Sequence, residues 1–163
     1  MKICARTAVV VAVVGAAATL AAPASALPAF TTAAKTGPAV GTSSKLVKVT
    51  VGHHAAFDRV VFRFTGGRPG WNTHFVARPT QDGSGAPVSV IGSRYLQMSF
   101  FPSGAPNFNY LWRVTPRFRT LKQVRSTGDF EAVVSMTAGL RYKAPYRVFG
   151  LTSPYRIVVD FRH

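Results

Sequence analysis

Two stretches with one shared pattern decide the fold class of this chain: residues 57–64 (FDRVVFRF) and residues 155–161 (YRIVVDF). In each stretch an arginine, Arg59 or Arg156, stands directly before a run of β-branched and aromatic residues. Such residues are enriched in strands, and successive strand side chains point to opposite faces of a sheet. The pattern predicts two amphipathic strands with equivalently placed arginines, which favours a binding sandwich over an enzyme.

The rest of the chain from Leu46 onward has an apolar period of two, interrupted at short intervals by Gly, Pro, Asn and Asp. Further strands are predicted over residues 47–51, 71–76, 88–91, 95–101, 110–114, 118–124, 130–136 and 146–151. Residues 81–85 (QDGSG) are expected to form a turn, and residues 102–109 an exposed loop. Many short strands without a convincing helical stretch predict an all-β protein, a β-sandwich.

The first 26 residues have the features of a signal peptide. Lys2 and Arg6 provide a positive end, residues 7–22 are apolar, and residues 24–26 (ASA) fit a cleavage site. Because the apolar run is shorter than the roughly 20 residues of a membrane-spanning helix, we expect cleavage, a secreted or extracellular protein and no stable membrane anchor. Residues 27–44 are expected to be a flexible leader, and residues 45–163 the folded domain.

Composition limits the chemistry of this domain. The single cysteine, Cys4, lies in the predicted signal peptide, so the domain has no disulfide, thiolate nucleophile or Cys-bound metal. Removing Lys2 and Arg6 from the 20 basic residues leaves 18 against five acidic ones, a net charge of +13. Such a charge attracts anionic partners, among them wall polymers, acidic lipid surfaces and nucleic acid, although it can also confer solubility alone.

Three longer stretches, together with FDRVVFRF, carry a family resemblance. They are residues 81–92 (QDGSGAPVSVIG), 128–141 (GDFEAVVSMTAGLR) and 146–161 (YRVFGLTSPYRIVVDF). In this order and spacing they resemble the AMIN-like domains of secreted actinobacterial proteins over about residues 46–162. The related AMIN domain of cell-wall amidases and secretin subunits is a β-sandwich of two related halves with arginine-led strand motifs, which residues 59–64 and 156–161 match.

This resemblance implies a non-catalytic targeting module, associated with the bacterial cell envelope, that needs no cofactor. Its implied partner is peptidoglycan or another anionic wall polymer, with envelope proteins as further candidates. Many AMIN-like relatives carry a lipoprotein cysteine at the cleavage site, and this chain does not. That departure again argues against a stable membrane anchor.

Arg59, Arg63 and Arg156 are the first candidate ligand-binding residues. The guanidinium fork matches a carboxylate or phosphate with two parallel hydrogen bonds, and peptidoglycan stem peptides present carboxylates. An equally good interpretation is that Arg59 and Arg156 pair with Asp58 or Asp160 and hold the strand register.

Tyr110 and Trp112 are the other candidate ligand-binding residues. Together with Phe108 they fall at alternate positions and would share one face of a strand. Aromatic rings in this arrangement can grip sugars, but they more often fill a sandwich core.

No catalytic residue and no metal ligand is predicted. The four histidines and five carboxylates match no catalytic motif, and Asp129 and Glu131, on one face of a predicted strand, are too close in sequence to identify a hydrolase pair. A metal site from His53, His54 and Asp58 matches no standard spacing, and adjacent histidines on a strand point to opposite faces.

Two alternatives to specific wall binding stay open. One is nonspecific binding of polyanions or nucleic acid, since charge and aromatic residues together can hold single strands. A specific nucleic-acid partner is not expected, because the leader predicts export and no nucleic-acid-binding module is recognisable. The other is an envelope enzyme with an unrecognised site.

Overall fold

The computed structural model describes residues 26–109 and 111–163, so the predicted signal peptide lies almost wholly outside the described residues. Ten strands occur in the described part. They are β1 (Lys35–Gly37), β2 (Lys45–His53), β3 (Phe57–Thr65), β4 (Gly70–Val76), β5 (Arg94–Phe101), β6 (Arg113–Val114), β7 (Leu121–Phe130), β8 (Val133–Leu140), β9 (Tyr146–Thr152) and β10 (Tyr155–Arg162). The prediction of an all-β sandwich is confirmed.

The strands form two antiparallel sheets. The six-stranded sheet has the order β1-β4-β5-β8-β7-β6, and the four-stranded sheet has the order β2-β3-β10-β9. The two stretches that share the arginine-led pattern, β3 and β10, are neighbours in the four-stranded sheet. Because they run antiparallel, Arg59 lies opposite Asp160 at one end, and Arg63 lies opposite Arg156 at the other.

The core lies between the two sheets and is built from alternate residues of their strands. In β3, Val60, Phe62 and Phe64 are buried, as the alternation predicted. Phe100 of the six-stranded sheet contacts both rings, with centroid distances of 4.8 Å to Phe62 and 5.4 Å to Phe64. Packing of this kind fixes the face that each strand turns to the core, and therefore the residues that it leaves on the outside.

Residues 27–44 differ from the expected flexible leader, because they are hydrogen-bonded to the sandwich. β1 pairs with β4 at the edge of the six-stranded sheet, and Thr31 exchanges backbone hydrogen bonds of 3.1 and 2.8 Å with Tyr146. Small residues allow this close approach: Gly37 lies so near the Trp71 ring that a Cβ atom would overlap it. Composition alone does not reveal such docking, since the pairing partners are distant in sequence.

Three strand predictions need correction. Residues 130–136 do not form one strand; β7 ends at Phe130, and Glu131 and Ala132 turn the chain with positive φ angles of 48° and 60°. These are the angles of a two-residue hairpin turn, for which Gly and Asn are the usual signals. Residues 88–91 form no strand, and of the described residues 111–114 only the last two, β6, are in a strand.

Candidate binding site

The outer face of the four-stranded sheet carries two rows of charged side chains. The pairing registers place three cations side by side across the strands at one end, namely Lys48, Arg63 and Arg156. At the other end they align two cations with a carboxylate, namely Arg59, Asp160 and Arg147. The two rows are chemically different, and only one of them is free to meet a ligand.

A β-bulge places Lys48 in the first row. The register between β2 and β3 shifts between Leu46 and Lys48, so that Leu46 lies opposite Phe64 while Lys48 lies opposite Arg63. Val47 is the extra residue, and it is partly exposed instead of alternating into the core with Val49. Bulges commonly re-aim a side chain in this way. Here the bulge puts a third cation beside the two arginines.

The second row is a closed ion cluster around Asp160, whose side chain is fully buried. Arg59 donates to both carboxylate oxygens, from Nε at 2.6 Å and from Nη2 at 2.9 Å. Arg147 donates from Nε to Oδ2 at 2.8 Å. The hydrogen bond to Asp160 raises the pKa of Arg59. Both guanidinium groups are already bound to an anion within the protein.

Aromatic rings cover this cluster. The guanidinium of Arg147 lies 4.4 Å from the Phe30 ring centroid and 5.3 Å from that of Phe57, and Arg59 lies 5.0 Å from Phe57. Contacts of this type stabilise cations further. Phe30 comes from residues 27–44, which therefore shield the ion cluster from above.

The first row, which we call the cation row, has no such partner. Within residues 26–109 and 111–163, none of Lys48, Arg63 and Arg156 forms an ion pair. Arg156 donates only to backbone carbonyls of the β9–β10 turn, at 3.2 Å to Pro154 and 3.4 Å to Ser153. Lys48 and Arg63 are exposed.

These cations border a shallow cleft of about 310 Å³. Its floor and rim come from Thr50, Val61 and Pro154, which add a hydroxyl and two apolar surfaces. Like charges directly opposite each other destabilise a sheet, and here Arg63 faces a cation on both neighbouring strands. An anion in this cleft would relieve that repulsion and could receive several charge-assisted hydrogen bonds.

The structure thus separates the three predicted arginines. Arg63 and Arg156 lie together in the cation row, whereas Arg59 belongs to the ion cluster, as the register-holding alternative for that residue supposed. Sequence reasoning missed Lys48 as a site residue. Its position between Val47 and Val49 indicated an outward side chain, but only the bulged register shows which arginine it faces.

Of the two predicted aromatic residues, Trp112 does not join this site. Trp112 is half-buried near β7, where its carbonyl accepts from the Ser126 N–H at 3.0 Å, and its ring meets Phe108 edge-on with centroids 5.0 Å apart. It therefore lies on the other sheet from the cation row. Tyr110 lies outside the described residues.

Asp129 and Glu131, the two carboxylates considered as a hydrolase pair, do not lie on one strand face. Glu131 is in the β7–β8 turn. Asp129 accepts a hydrogen bond from the Ala105 N–H at 2.8 Å. Asp58, in contrast, is fully buried and lies against two imidazoles, His53 and His163.

Fold and site together define an all-β sandwich domain with a cationic outer face. A family model described as the AMIN-like domain matches residues 44–163, so the chain belongs to the AMIN-like family. Members are generally non-catalytic, cell-wall-related binding modules, and membership indicates an envelope-related location. Searches of curated proteins and of solved structures found no match.

Candidate membrane spans were sought in the same described ranges. No helix there has the length and the apolar character needed to cross a membrane.

Proposed function

We propose that this protein is an exported, non-catalytic domain that attaches to the cell envelope by binding an anionic wall polymer, with peptidoglycan as the principal ligand. The observation that carries the proposal is the cation row: Lys48, Arg63 and Arg156 stand side by side on one exposed sheet face, and no carboxylate among the described residues pairs with them. The AMIN-like family membership supports a wall-related role in general.

The ligand group that suits the cation row is a carboxylate, such as those of peptidoglycan stem peptides. Two guanidinium forks on adjacent strands can each take a carboxylate with two hydrogen bonds, while an ammonium adds a point charge. Val61 and Pro154 offer apolar contact to the aliphatic part of a peptide. A site of this composition recognises a charged peptide through several weak contacts, as expected of a targeting domain.

A sedimentation assay with purified, insoluble peptidoglycan tests this proposal. The double variant Arg63→Ala/Arg156→Ala should lose most of its retention at about 0.15 M salt, where exposed charges farther apart than ~8 Å are largely screened. The matched control is Arg94→Ala/Arg141→Ala, which removes the same charge from two exposed residues of the other sheet, one at the start of β5 and one directly after β8. It should bind like the unchanged protein.

The same assay separates specific binding from general attraction to polyanions. If both double variants lose binding equally, or if heparin-like polyanions displace the protein from the wall as well as soluble wall fragments do, net charge is the cause and the proposal is wrong. Circular dichroism of each variant checks that the sandwich is intact. Retention of full peptidoglycan binding by the Arg63→Ala/Arg156→Ala protein would also contradict the proposed function.

A further inference from the structure

Two histidines and a carboxylate from distant parts of the chain converge at one end of the four-stranded sheet, the end opposite the cation row. His53 ends β2, Asp58 stands near the start of β3, and His163 follows β10. The distance from Asp58 Oδ1 is 2.7 Å to His53 Nδ1 and 3.8 Å to His163 Nε2. All three atoms lie within 4.8 Å of one another.

The carboxylate of Asp58 is held in place from its other side. Its Oδ2 accepts hydrogen bonds from the backbone N–H groups of Thr120, at 2.7 Å, and Leu121, at 2.9 Å. Oδ1 is thereby turned toward the two imidazoles. Among the described lysines and arginines, none forms an ion pair with Asp58, so its charge is available to a cation held by the histidines.

The outer contacts of His163 suit a metal ligand. Its Nδ1 lies 3.1 Å from Thr120 Oγ1, a hydroxyl oxygen that can accept a hydrogen bond from Nδ1–H in the tautomer whose Nε2 has a free lone pair. A hydrogen bond of this kind to the non-ligating nitrogen fixes the tautomer and orientation of metal-bound histidines. Without a metal, Nε2 donates to the His54 carbonyl at 3.0 Å, so the imidazole proton is on Nε2. Metal binding would break this hydrogen bond and require the tautomer that has its proton on Nδ1.

We propose that His53 Nδ1, Asp58 Oδ1 and His163 Nε2 bind a divalent transition-metal ion of the zinc type. Two imidazoles and one carboxylate form a common protein ligand set for Zn²⁺, with bond lengths near 2.0–2.2 Å that place tetrahedral ligand atoms about 3.4 Å apart. The carboxylate–imidazole distances of 2.7 and 3.8 Å lie on either side of this value. Ring rotation would have to bring all three ligand atoms, which lie within 4.8 Å of one another, to this spacing.

The site leaves one coordination position for water or an external ligand. The His53 side chain is 51% exposed, whereas those of Asp58 and His163 are 0% and 6% exposed, so the open side faces solvent past His53. Bound metal would tie the end of β2, the start of β3 and residue 163 together. Since the ion binds the folded state, it should raise the unfolding temperature.

Titration calorimetry with ZnCl₂, on protein without a polyhistidine tag, tests this site. We expect saturable binding of one ion and a Zn²⁺-dependent rise in unfolding temperature. His53→Ala and His163→Ala should each weaken Zn²⁺ binding at least about tenfold. Removing a residue that only hydrogen-bonds to a metal ligand typically costs about that much, and a ligand should matter more. His54→Ala and His74→Ala are the controls: one removes the adjacent imidazole, which stacks on Phe57, and the other an exposed imidazole of β4.

His53→Ala is the deciding variant, because its side chain is 51% exposed and the buried Asp58 keeps its backbone hydrogen bonds from Thr120 and Leu121. Equal Zn²⁺ affinity in His53→Ala and unchanged protein would overturn the proposal. So would the absence of one-to-one binding, or an equal loss of affinity in the two control variants, which would indicate adventitious binding by surface histidines.

Discussion

Arg59 and Asp160 form a two-point ion pair across β3 and β10, with Nε–Oδ1 and Nη2–Oδ2 distances of 2.6 and 2.9 Å. The pair sits at the end of the sheet opposite Arg63 and Arg156, which face each other without a carboxylate between them. One repeated sequence pattern therefore gives a satisfied charge at one end of the strand pair and an unsatisfied one at the other.

Asp160→Asn should destabilise the fold, because it leaves Arg59 and Arg147 without their shared anion. We expect a loss of about 2–4 kcal/mol in the free energy of unfolding, lower than for a fully buried pair since Arg59 keeps some contact with water. Urea unfolding measures the change. Glu131→Gln, at an exposed carboxylate of the β7–β8 turn, is the control and should stay within about 0.5 kcal/mol of the unchanged protein.

Arg156→Glu should stabilise the fold while it abolishes wall binding. The change replaces a like-charged cross-strand pair by an opposite-charged one, for which we expect a gain of about 0.2–1 kcal/mol. The gain should shrink in about 0.5 M salt, because the pair is partly exposed and screened. Arg141→Glu makes the same change in net charge without an opposing cation in register, so an equal gain there would show that only total charge matters.

Gly37→Ala should release β1 from the edge of the six-stranded sheet. A Cβ at this position would overlap the ring of the buried Trp71, and forcing extra volume into a packed site costs about 1–3 kcal/mol. Limited proteolysis should then cut within residues 27–44, and the tryptophan emission should shift to longer wavelength. Gly104→Ala, where a Cβ meets nothing within 4 Å, should leave the cleavage pattern unchanged.

Tyr146 should make the fold more sensitive to alkaline pH. Burial raises the pKa of its phenol, whose hydroxyl donates to the Ala33 carbonyl at 2.8 Å. The unfolded phenol ionises near pH 10, so stability is fully present below about pH 10 and is lost as the pH rises through the folded-state pKa.

The Tyr146→Phe variant isolates this effect. Its free energy of unfolding at neutral pH should be about 1 kcal/mol lower than that of the unchanged protein, the usual contribution of one hydrogen bond. Above about pH 10 its stability should fall less steeply. Urea unfolding at several pH values measures both slopes. Equal slopes in the two proteins would show that folding does not raise the pKa of this phenol.

Much of the fold could be predicted from local patterns. The alternation in β3 identified Val60, Phe62 and Phe64 as core residues, and all three are buried. Patterns failed where the backbone departs from regular pairing. The bulge at Val47 and the turn at Glu131 and Ala132 contain none of the Gly or Asn residues that usually indicate such features. Both result from the pairing of neighbouring strands, which local sequence does not reveal.

A sandwich of amphipathic strands with a strongly basic surface could be predicted from the sequence, since side-chain alternation and net charge are local or additive properties. Which charges are neutralised depends on how the strands pair in three dimensions. Arg59 meets Asp160 across 101 residues of chain, and His53 meets His163 at one end of the four-stranded sheet, because register brings together residues whose sequence separation carries no signal. The cation row is a product of the same register: it joins Lys48, Arg63 and Arg156, which no single stretch of sequence contains.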